Sequence, residues 1–201
     1  MTKIKICGLK REEDIKYANE VKPDYIGFVF AGAKRKIDFV TAAKLKKLLD
    51  KDIKSVGVFV NEGIGNIARL CDEGTIDLVQ LHGDEDEAYI CKLKERVKNK
   101  IIKAVKIQSS KLEELKVQSS NADFILFDSG SGSGKIFDWN LIKGYDKPFF
   151  LAGGLNKDNL AKALKMLNPW CVDLSSGVET DGLKDFEKIK EVIKIVRRLE
   201  D

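Results

Sequence analysis

Asp128 is the first of several residues that could do chemistry because of where they stand in the chain. Phe124-Ile-Leu-Phe-Asp128 predicts a short buried strand that ends on a carboxylate, and a glycine-serine run over 129–135 follows at once. Catalytic groups of α/β proteins lie at the carboxyl ends of such strands, next to loops that can surround a ligand. Asp128 is therefore a candidate general acid, its pKa raised by burial or by a neighbouring anion. The alternative interpretation of Asp128 is a turn or helix cap.

Cys7 ends another predicted strand, in Lys5-Ile-Cys-Gly8. A buried cysteine is usually a small hydrophobic residue, but its position at a strand end makes Cys7 a candidate base. A thiol has an ordinary pKa of about 8.5, so nearby cations would have to lower that pKa. Lys5, two residues back, lies on the same face of the strand. The other cysteines are predicted to be structural: Cys71, Cys91 and Cys171.

Two further polar residues follow predicted strands. His82, the only histidine, could act as a general base near neutral pH, but we favour a pocket-lining or hydrogen-bonding role because Cys7 is already a base candidate. Arg35 follows the second strand in Ala33-Lys-Arg-Lys36 and could hold a carboxylate through two hydrogen bonds. It could equally be one more solvated cation.

Two glycine-containing loops are candidates for binding phosphate. Glycines let backbone N–H groups turn toward an anion, and the loops after the last two strands of a (β/α)₈ barrel are a common phosphate site. The seventh and eighth predicted strands are followed by Gly153-Gly154 and by Ser175, Ser176 and Gly177. The run Gly130-Ser-Gly-Ser-Gly-Lys135 matches neither a P-loop nor a dinucleotide-binding fingerprint, so nucleotide binding is not expected.

The elements that must position these residues alternate regularly along the chain. Strands are predicted over 3–7, 25–30, 54–60, 78–81, 101–105, 124–127, 149–151 and 172–174. Helices are predicted over 11–20, 40–49, 64–71, 86–96, 111–117, 157–167 and 185–199, and the segment near 139–143 is too short for a full helix. Eight βα units predict parallel strands in a single-domain (β/α)₈ TIM barrel over residues 1–201. An open doubly wound sheet is the alternative.

Composition narrows the function classes. The chain has 201 residues, 43% of them hydrophobic, and a net charge of +4, with lysine and glutamate interspersed along the sequence. This pattern favours a soluble globular protein over a nucleic-acid-binding one. No apolar run reaches about 18 residues, and the amino terminus lacks a signal-peptide pattern, so a cytoplasmic protein is expected. One histidine and scattered cysteines favour neither a zinc site nor disulfides.

Seven motifs in order connect the chain to a known family: Lys5-Ile-Cys-Gly-Leu9, Gly27-Phe-Val-Phe30, Val56-Gly-Val-Phe-Val-Asn61, Val79-Gln-Leu-His-Gly-Asp84, Gly132-Ser-Gly-Lys-Ile-Phe-Asp-Trp139, Leu151-Ala-Gly-Gly-Leu155 and Val172-Asp-Leu-Ser-Ser-Gly-Val-Glu179. With them the chain resembles the phosphoribosylanthranilate isomerases of tryptophan biosynthesis over essentially its whole length. It departs from many members in having Ala33 in place of a serine and a shorter loop after the sixth strand.

The resemblance implies an Amadori rearrangement without metal or cofactor. It converts N-(5-phosphoribosyl)anthranilate into 1-(2-carboxyphenylamino)-1-deoxyribulose 5-phosphate. It gives Asp128 the role of general acid on the ribose ring oxygen and Cys7 that of the base that takes the C2′ proton. Asp128 must then be partly protonated and Cys7 partly thiolate. Arg35 is expected to hold the anthranilate carboxylate, and the loops at 153–154 and 175–177 the phosphate, with His82 among the substrate-binding residues.

Other functions predict different sequences. An indole-glycerol phosphate synthase would need a longer chain and a lysine–glutamate pair, and a metal-dependent sugar-phosphate epimerase would need more histidines. The non-enzyme alternative is a catalytically silent binder of phosphate ligands, which Cys7 and Asp128 argue against. The expected partner is thus a small phosphosugar, with no nucleic acid and no membrane, and the protein is expected to be a monomer or a homodimer.

Overall fold

A closed ring of parallel strands forms the centre of the molecule. The computed structural model describes residues 1–107, 120–130 and 136–198. The strands lie around the ring in chain order, and β8 pairs with β1, with Lys5 opposite Asp173. They are β1 (Lys3–Cys7), β2 (Tyr25–Val29), β3 (Lys54–Phe59), β4 (Leu78–Leu81), β5 (Lys100–Lys106), β6 (Phe124–Asp128), β7 (Phe149–Leu151) and β8 (Cys171–Leu174). The predicted TIM barrel is confirmed, and the pairing of β8 with β1 excludes an open sheet.

Helices connect the strands on the outside of the ring. Those within the described ranges are α1 (Glu12–Val21), α2 (Phe39–Leu48), α3 (Ile64–Asp72), α4 (Glu87–Arg96), α5 (Lys157–Leu167) and α6 (Phe186–Arg198). Among the described residues of the segment after β6, Trp139–Ile142 forms a short 3₁₀ helix, as the length of this segment predicted. The helix predicted over 111–117 and the predicted end of the last helix at 199 lie outside the described residues.

The described helix ends differ from the predictions by at most one residue, and α4 begins one residue later than predicted because its capping residue looks helical in the sequence. Asp86 was predicted to begin a helix, but it is the N-cap, and its carboxylate accepts a hydrogen bond from the backbone N–H of Tyr89 at 2.8 Å. Asp38 caps α2 in the same way through Thr41. Such a cap satisfies an N–H group that has no partner inside the helix.

Two layers of apolar side chains hold the barrel together. One lies between strands and helices, where α6 contributes the predicted stripe Ile189, Val192, Ile193 and Val196. The other fills the barrel interior and includes Tyr25, Val56, Leu78, Ile102, Leu126 and Phe150. Because side chains alternate between the two faces of each strand, β2 to β8 contribute to both layers, whereas β1 contributes Ile4 and Ile6 to the outer layer alone. Among the described residues, each helix is too short or too polar to span a bilayer.

A small hairpin follows β8 and was not predicted. It consists of β9 (Glu179–Thr180) and β10 (Leu183–Lys184), joined by Asp181 and Gly182. Both joining residues have positive φ, 51° and 76°. An Asp-Gly pair between two short strands is a strong signal for such a turn. The hairpin lies at the carboxyl end of the barrel, where the candidate site residues are found.

Candidate active site

The carboxyl ends of the strands surround a cavity of about 510 Å³. Eight of the nine predicted site residues line this cavity: Cys7, Arg35, His82, Asp128, Gly153, Gly154, Ser175 and Ser176. Gly177 does not line the cavity. It lies against the loop after β7, where a side chain would overlap with the carbonyl oxygen of Leu155. Gly177 therefore lets two of the cavity's loops approach each other.

The Cys7 side chain lies over a buried ion pair. Lys5 is fully buried below it, and its ammonium donates to Asp173 Oδ2 at 2.8 Å. Burial raises the pKa of the Cys7 thiol, and the positive charge of Lys5 only partly opposes this effect. The negative charge of Asp173 offsets part of the effect of Lys5, because it raises the pKa of the thiol. Cys7 is therefore held as a thiol, whereas catalysis is expected to need a partial thiolate.

Asp128 receives a hydrogen bond from the only histidine. His82 Nε2 lies 3.0 Å from Asp128 Oδ2, and His82 Nδ1 lies 2.9 Å from the amide nitrogen of Gln80. Burial alone would raise the pKa of Asp128, but His82 and the N–H of Gly130 together lower it below its ordinary value. Asp128 is thus held as a carboxylate, whereas a general acid must carry a proton. The predicted hydrogen-bonding role of His82 fits this arrangement.

The Gln80–His82–Asp128 chain is compatible with two proton arrangements. With the Gln80 amide nitrogen donating to Nδ1, His82 donates from Nε2 to an ionised Asp128. If the amide turns over, its oxygen accepts from Nδ1–H, and Nε2 becomes the acceptor for a protonated Asp128. Gln80 Oε1 has no hydrogen-bond partner among the described residues. The same heavy-atom positions can therefore hold Asp128 as carboxylate or as acid.

Arg35 is fixed by an ion pair with the hairpin. Its Nε and Nη2 each donate to Glu179 at 2.7 Å, and Lys184 Nζ donates to the same carboxylate at 2.6 Å. Burial would raise the pKa of Glu179, but these two cations lower it to about 2. The hydrogen bonds to Glu179 use Nε and Nη2, so Nη1 takes no part in this ion pair. Arg35 can therefore still bind a carboxylate through Nη1 and the second hydrogen of Nη2.

The two predicted phosphate loops meet at one side of the cavity. Gly153 and Gly154 both have positive φ, 86° and 69°. A side chain at Gly153 would come within 2.6 Å of the backbone nitrogen of Ser129. The Ser175 hydroxyl donates to the carbonyl of Cys7 at 3.0 Å, so its proton is already engaged. Lys184, almost fully buried, donates to the Ser175 carbonyl at 3.0 Å and places a positive charge behind this loop.

Sequence reasoning missed several residues that support the site: Gln80, Asp173, Glu179 and Lys184. Two of these lie on a strand, two positions before a predicted residue that directly follows it: Gln80 before His82, and Asp173 before Ser175. Strand alternation could therefore have found them. Glu179 and Lys184 belong to the hairpin that the Asp-Gly turn signals. Within the described ranges, His, Cys, Asp and Glu side chains form no group of three that could hold a metal ion.

Comparisons with known proteins show the family to which the chain belongs. Residues 4–195 match the family model described as N-(5'phosphoribosyl)anthranilate (PRA) isomerase. An N-(5'-phosphoribosyl)anthranilate isomerase of Endomicrobium trichonymphae is 61% identical over 204 residues, covering 99% of this chain and 100% of the relative.

Two solved structures extend the comparison to the fold. A phosphoribosyl anthranilate isomerase in complex with reduced 1-(o-carboxyphenylamino)-1-deoxyribulose 5-phosphate is 34% identical with a TM-score of 0.84, over 98% of this chain and 100% of that one. Monomers of the dimeric enzyme from Thermotoga maritima are also 34% identical, with a TM-score of 0.85, over 98% and 99%. The chain therefore belongs to the N-(5'-phosphoribosyl)anthranilate isomerase family.

Proposed function

We propose that this protein converts N-(5-phosphoribosyl)anthranilate into 1-(2-carboxyphenylamino)-1-deoxyribulose 5-phosphate in tryptophan biosynthesis, with Asp128 as general acid and Cys7 as general base. One observation carries the proposal. Cys7 on β1 and Asp128 on β6 line the same cavity, with the loops after β7 and β8 between these strands around the ring. An aldose-to-ketose shift needs an acid and a base at different atoms of one sugar, and an anchor for its phosphate.

Ring opening is the task of Asp128. Its proton goes to the ribose ring oxygen, and the anomeric C–O bond breaks to leave a protonated Schiff base between C1′ and the anthranilate nitrogen. Binding of a substrate with phosphate and carboxylate groups brings negative charge into the cavity, which raises the pKa of a nearby carboxyl group. His82 can hold the proton-bearing form through the second arrangement of the Gln80–His82–Asp128 chain.

Proton abstraction is the task of Cys7. The thiolate takes the proton from C2′ of the Schiff base, the electron pair moves to form an enolamine, and tautomerisation gives the ketone. The resting thiol and carboxylate hold one proton between them, and the reactive thiolate and acid hold the same number. Catalysis therefore requires that this proton lie on Asp128 instead of Cys7, and the two groups titrate as a coupled pair. The buried ammonium of Lys5 stabilises the thiolate once it forms.

Substrate binding is assigned to the remaining predicted residues. The free edge of the Arg35 guanidinium holds the anthranilate carboxylate, while Glu179 keeps the group in place. Gly153, Gly154 and Ser176 offer backbone N–H groups to the phosphate, and Gly177 supports their loop. Ser175 contributes through its backbone, because its hydroxyl proton is engaged by Cys7. We further propose a cytoplasmic enzyme that acts as monomer or homodimer, without metal, cofactor or nucleic acid.

A fluorescence assay on the purified protein tests the proposed reaction. Freshly made phosphoribosylanthranilate should disappear rapidly, with equal rates in the presence and absence of EDTA. A rate abolished by the chelator would contradict the metal-free mechanism. Absence of turnover, with product analogues still bound, would instead indicate a silent phosphate-binding barrel.

A further inference from the structure

Asp173 lies in the cavity with half of its carboxylate unpaired. It belongs to β8, is only 8% exposed, and lines the cavity together with Cys7 and Asp128. Oδ2 accepts the hydrogen bond from Lys5, while Oδ1 has no hydrogen-bond partner among the described residues. Buried polar atoms are nearly always hydrogen-bonded in folded proteins, because leaving one unpaired is costly. An unpaired oxygen in a binding cavity therefore points to a ligand.

The chemistry of the missing partner follows from the ion pair. Burial raises the pKa of Asp173, but the Lys5 ammonium at 2.8 Å opposes this rise and favours the carboxylate form. A carboxylate oxygen can only accept hydrogen bonds. The partner must be a donor, such as a hydroxyl or an N–H group. Phosphate and carboxylate groups of the substrate are excluded, because they too are acceptors and carry the same charge.

Neighbouring contacts indicate which part of the substrate Asp173 meets. Lys5 and Asp173 each lie two residues before a cavity-lining residue, Cys7 on β1 and Ser175 at the end of β8. The Ser175 hydroxyl bonds the Cys7 carbonyl, so these two strand ends are held side by side. Asp173 is thus one side-chain layer below Cys7, on the adjacent strand. A sugar carbon in contact with the Cys7 thiol presents its own hydroxyl within reach of this layer.

We propose that Asp173 Oδ1 accepts a hydrogen bond from the hydroxyl on C2′, the carbon that Cys7 deprotonates. This inference rests on the proposed function. It makes Asp173 a specificity-determining residue that favours sugars hydroxylated at this carbon. Lys5 is a positioning residue, because it fixes the other carboxylate oxygen and so aims Oδ1 at the cavity.

Binding of unreactive ligands tests the proposal without depending on catalysis. Calorimetry would compare reduced 1-(2-carboxyphenylamino)-1-deoxyribulose 5-phosphate with two counterparts, one lacking the C2 hydroxyl and a control lacking the C3 hydroxyl. The proteins compared are the wild type, Asp173→Asn, and the double variant Lys5→Met/Asp173→Leu. The double variant replaces the ion pair by apolar groups of similar shape, a change that buried pairs often tolerate.

For the wild type, we expect loss of the C2 hydroxyl to weaken binding about tenfold or more, as for other hydrogen bonds to charged groups. In the double variant the ligands with and without this hydroxyl should bind within about twofold of each other, while the effect of the C3 hydroxyl stays unchanged. Asp173→Asn, which keeps a polar but uncharged group, should fall between the two.

Other outcomes would overturn the inference. An undiminished effect of the C2 hydroxyl in the double variant would mean that this hydroxyl binds elsewhere and that water pairs with Oδ1. Equal weakening of all three ligands, or complete loss of binding by a folded double variant, would indicate a general structural role. Failure of the wild type to bind any of the three ligands would contradict the proposed function itself, and the inference with it.

Discussion

At the scale of single residues, the proton held between Cys7 and Asp128 lies on Cys7, whereas catalysis requires it on Asp128. Burial raises the pKa of the Cys7 thiol, and His82 helps to lower the pKa of the Asp128 carboxyl group. The sequence predicted both residues correctly as cavity-lining groups. It could not predict their charge states, because these depend on Asp173 and His82, which reach the two groups from other strands.

His82 should matter less for turnover than Asp128. Because His82 holds Asp128 without touching the reacting carbons, His82→Ala should lower kcat by about tenfold to a hundredfold, whereas Asp128→Asn should lower it by about a thousandfold or more. The measurement is kcat for both variants in the fluorescence assay. A complete loss of turnover in His82→Ala, with ligand affinity retained, would identify histidine as the base instead of Cys7.

Gly27 on β2 gives the Cys7 thiol its space. A Cβ atom at this position would lie 2.7 Å from Cys7 Sγ, which is closer than real contacts allow. We expect Gly27→Ala to displace the thiol and to lower kcat by about tenfold to a hundredfold, because small misplacements of a reacting group are costly. Kinetics and thermal unfolding of the variant would be measured together, with Gly63→Ala, which has open space around it, as the control. Wild-type kcat in Gly27→Ala would show that the thiol position is not critical.

At the scale of elements, the β9–β10 hairpin is a support for substrate recognition. It carries Glu179 and Lys184, which fix Arg35 and the Ser175 loop from one small structure. Regular βα alternation predicted the eight strands and most helix positions, since apolar periodicity follows directly from burial. The hairpin interrupts that alternation with two-residue strands, too short to show any periodicity. Only its Asp-Gly turn marks it in the sequence.

Glu179 should make stability depend on pH in the acidic range. Its pKa is lowered to about 2 from an ordinary value of 4.5, so its contribution is fully present above pH 4.5 and is lost as the pH falls toward 2. After allowing for solvent screening we expect a loss of about 1–2 kcal/mol. Urea unfolding of wild type and Glu179→Gln between pH 6 and pH 2.5 would measure it. Parallel curves for the two proteins would contradict this role.

At the scale of the whole molecule, a buried ion pair lies where the first and last strands of the barrel meet. Lys5 and Asp173 face each other where β1 meets β8, the contact between the first and last strands. The sequence predicted closure from the number of βα units, and it placed Lys5 on the same strand face as Cys7. It could not pair Lys5 with Asp173, because their partnership depends on the register of strands separated by almost the whole chain.

Removing one partner of this pair should destabilise the barrel more than removing both. Lys5→Met leaves the Asp173 carboxylate buried without a counter-charge, and we expect a loss of about 3–5 kcal/mol in the free energy of unfolding. Lys5→Met/Asp173→Leu should recover most of that loss. Urea unfolding at pH 7 would compare both variants with the wild type. A double variant as unstable as Lys5→Met would show that apolar packing cannot replace the pair.

The central claim is that Cys7 acts as general base and Asp128 as general acid, and one measurement tests it most directly. Turnover of phosphoribosylanthranilate would be measured for wild type, Cys7→Ser and Asp128→Asn, with affinity for the reduced product analogue measured on the same preparations. Both variants should lose most of their turnover, while their affinities stay within about tenfold of the wild type, because the substitutions remove proton transfer and leave the anchoring groups intact. Near-normal turnover in either variant would contradict the role assigned to that residue.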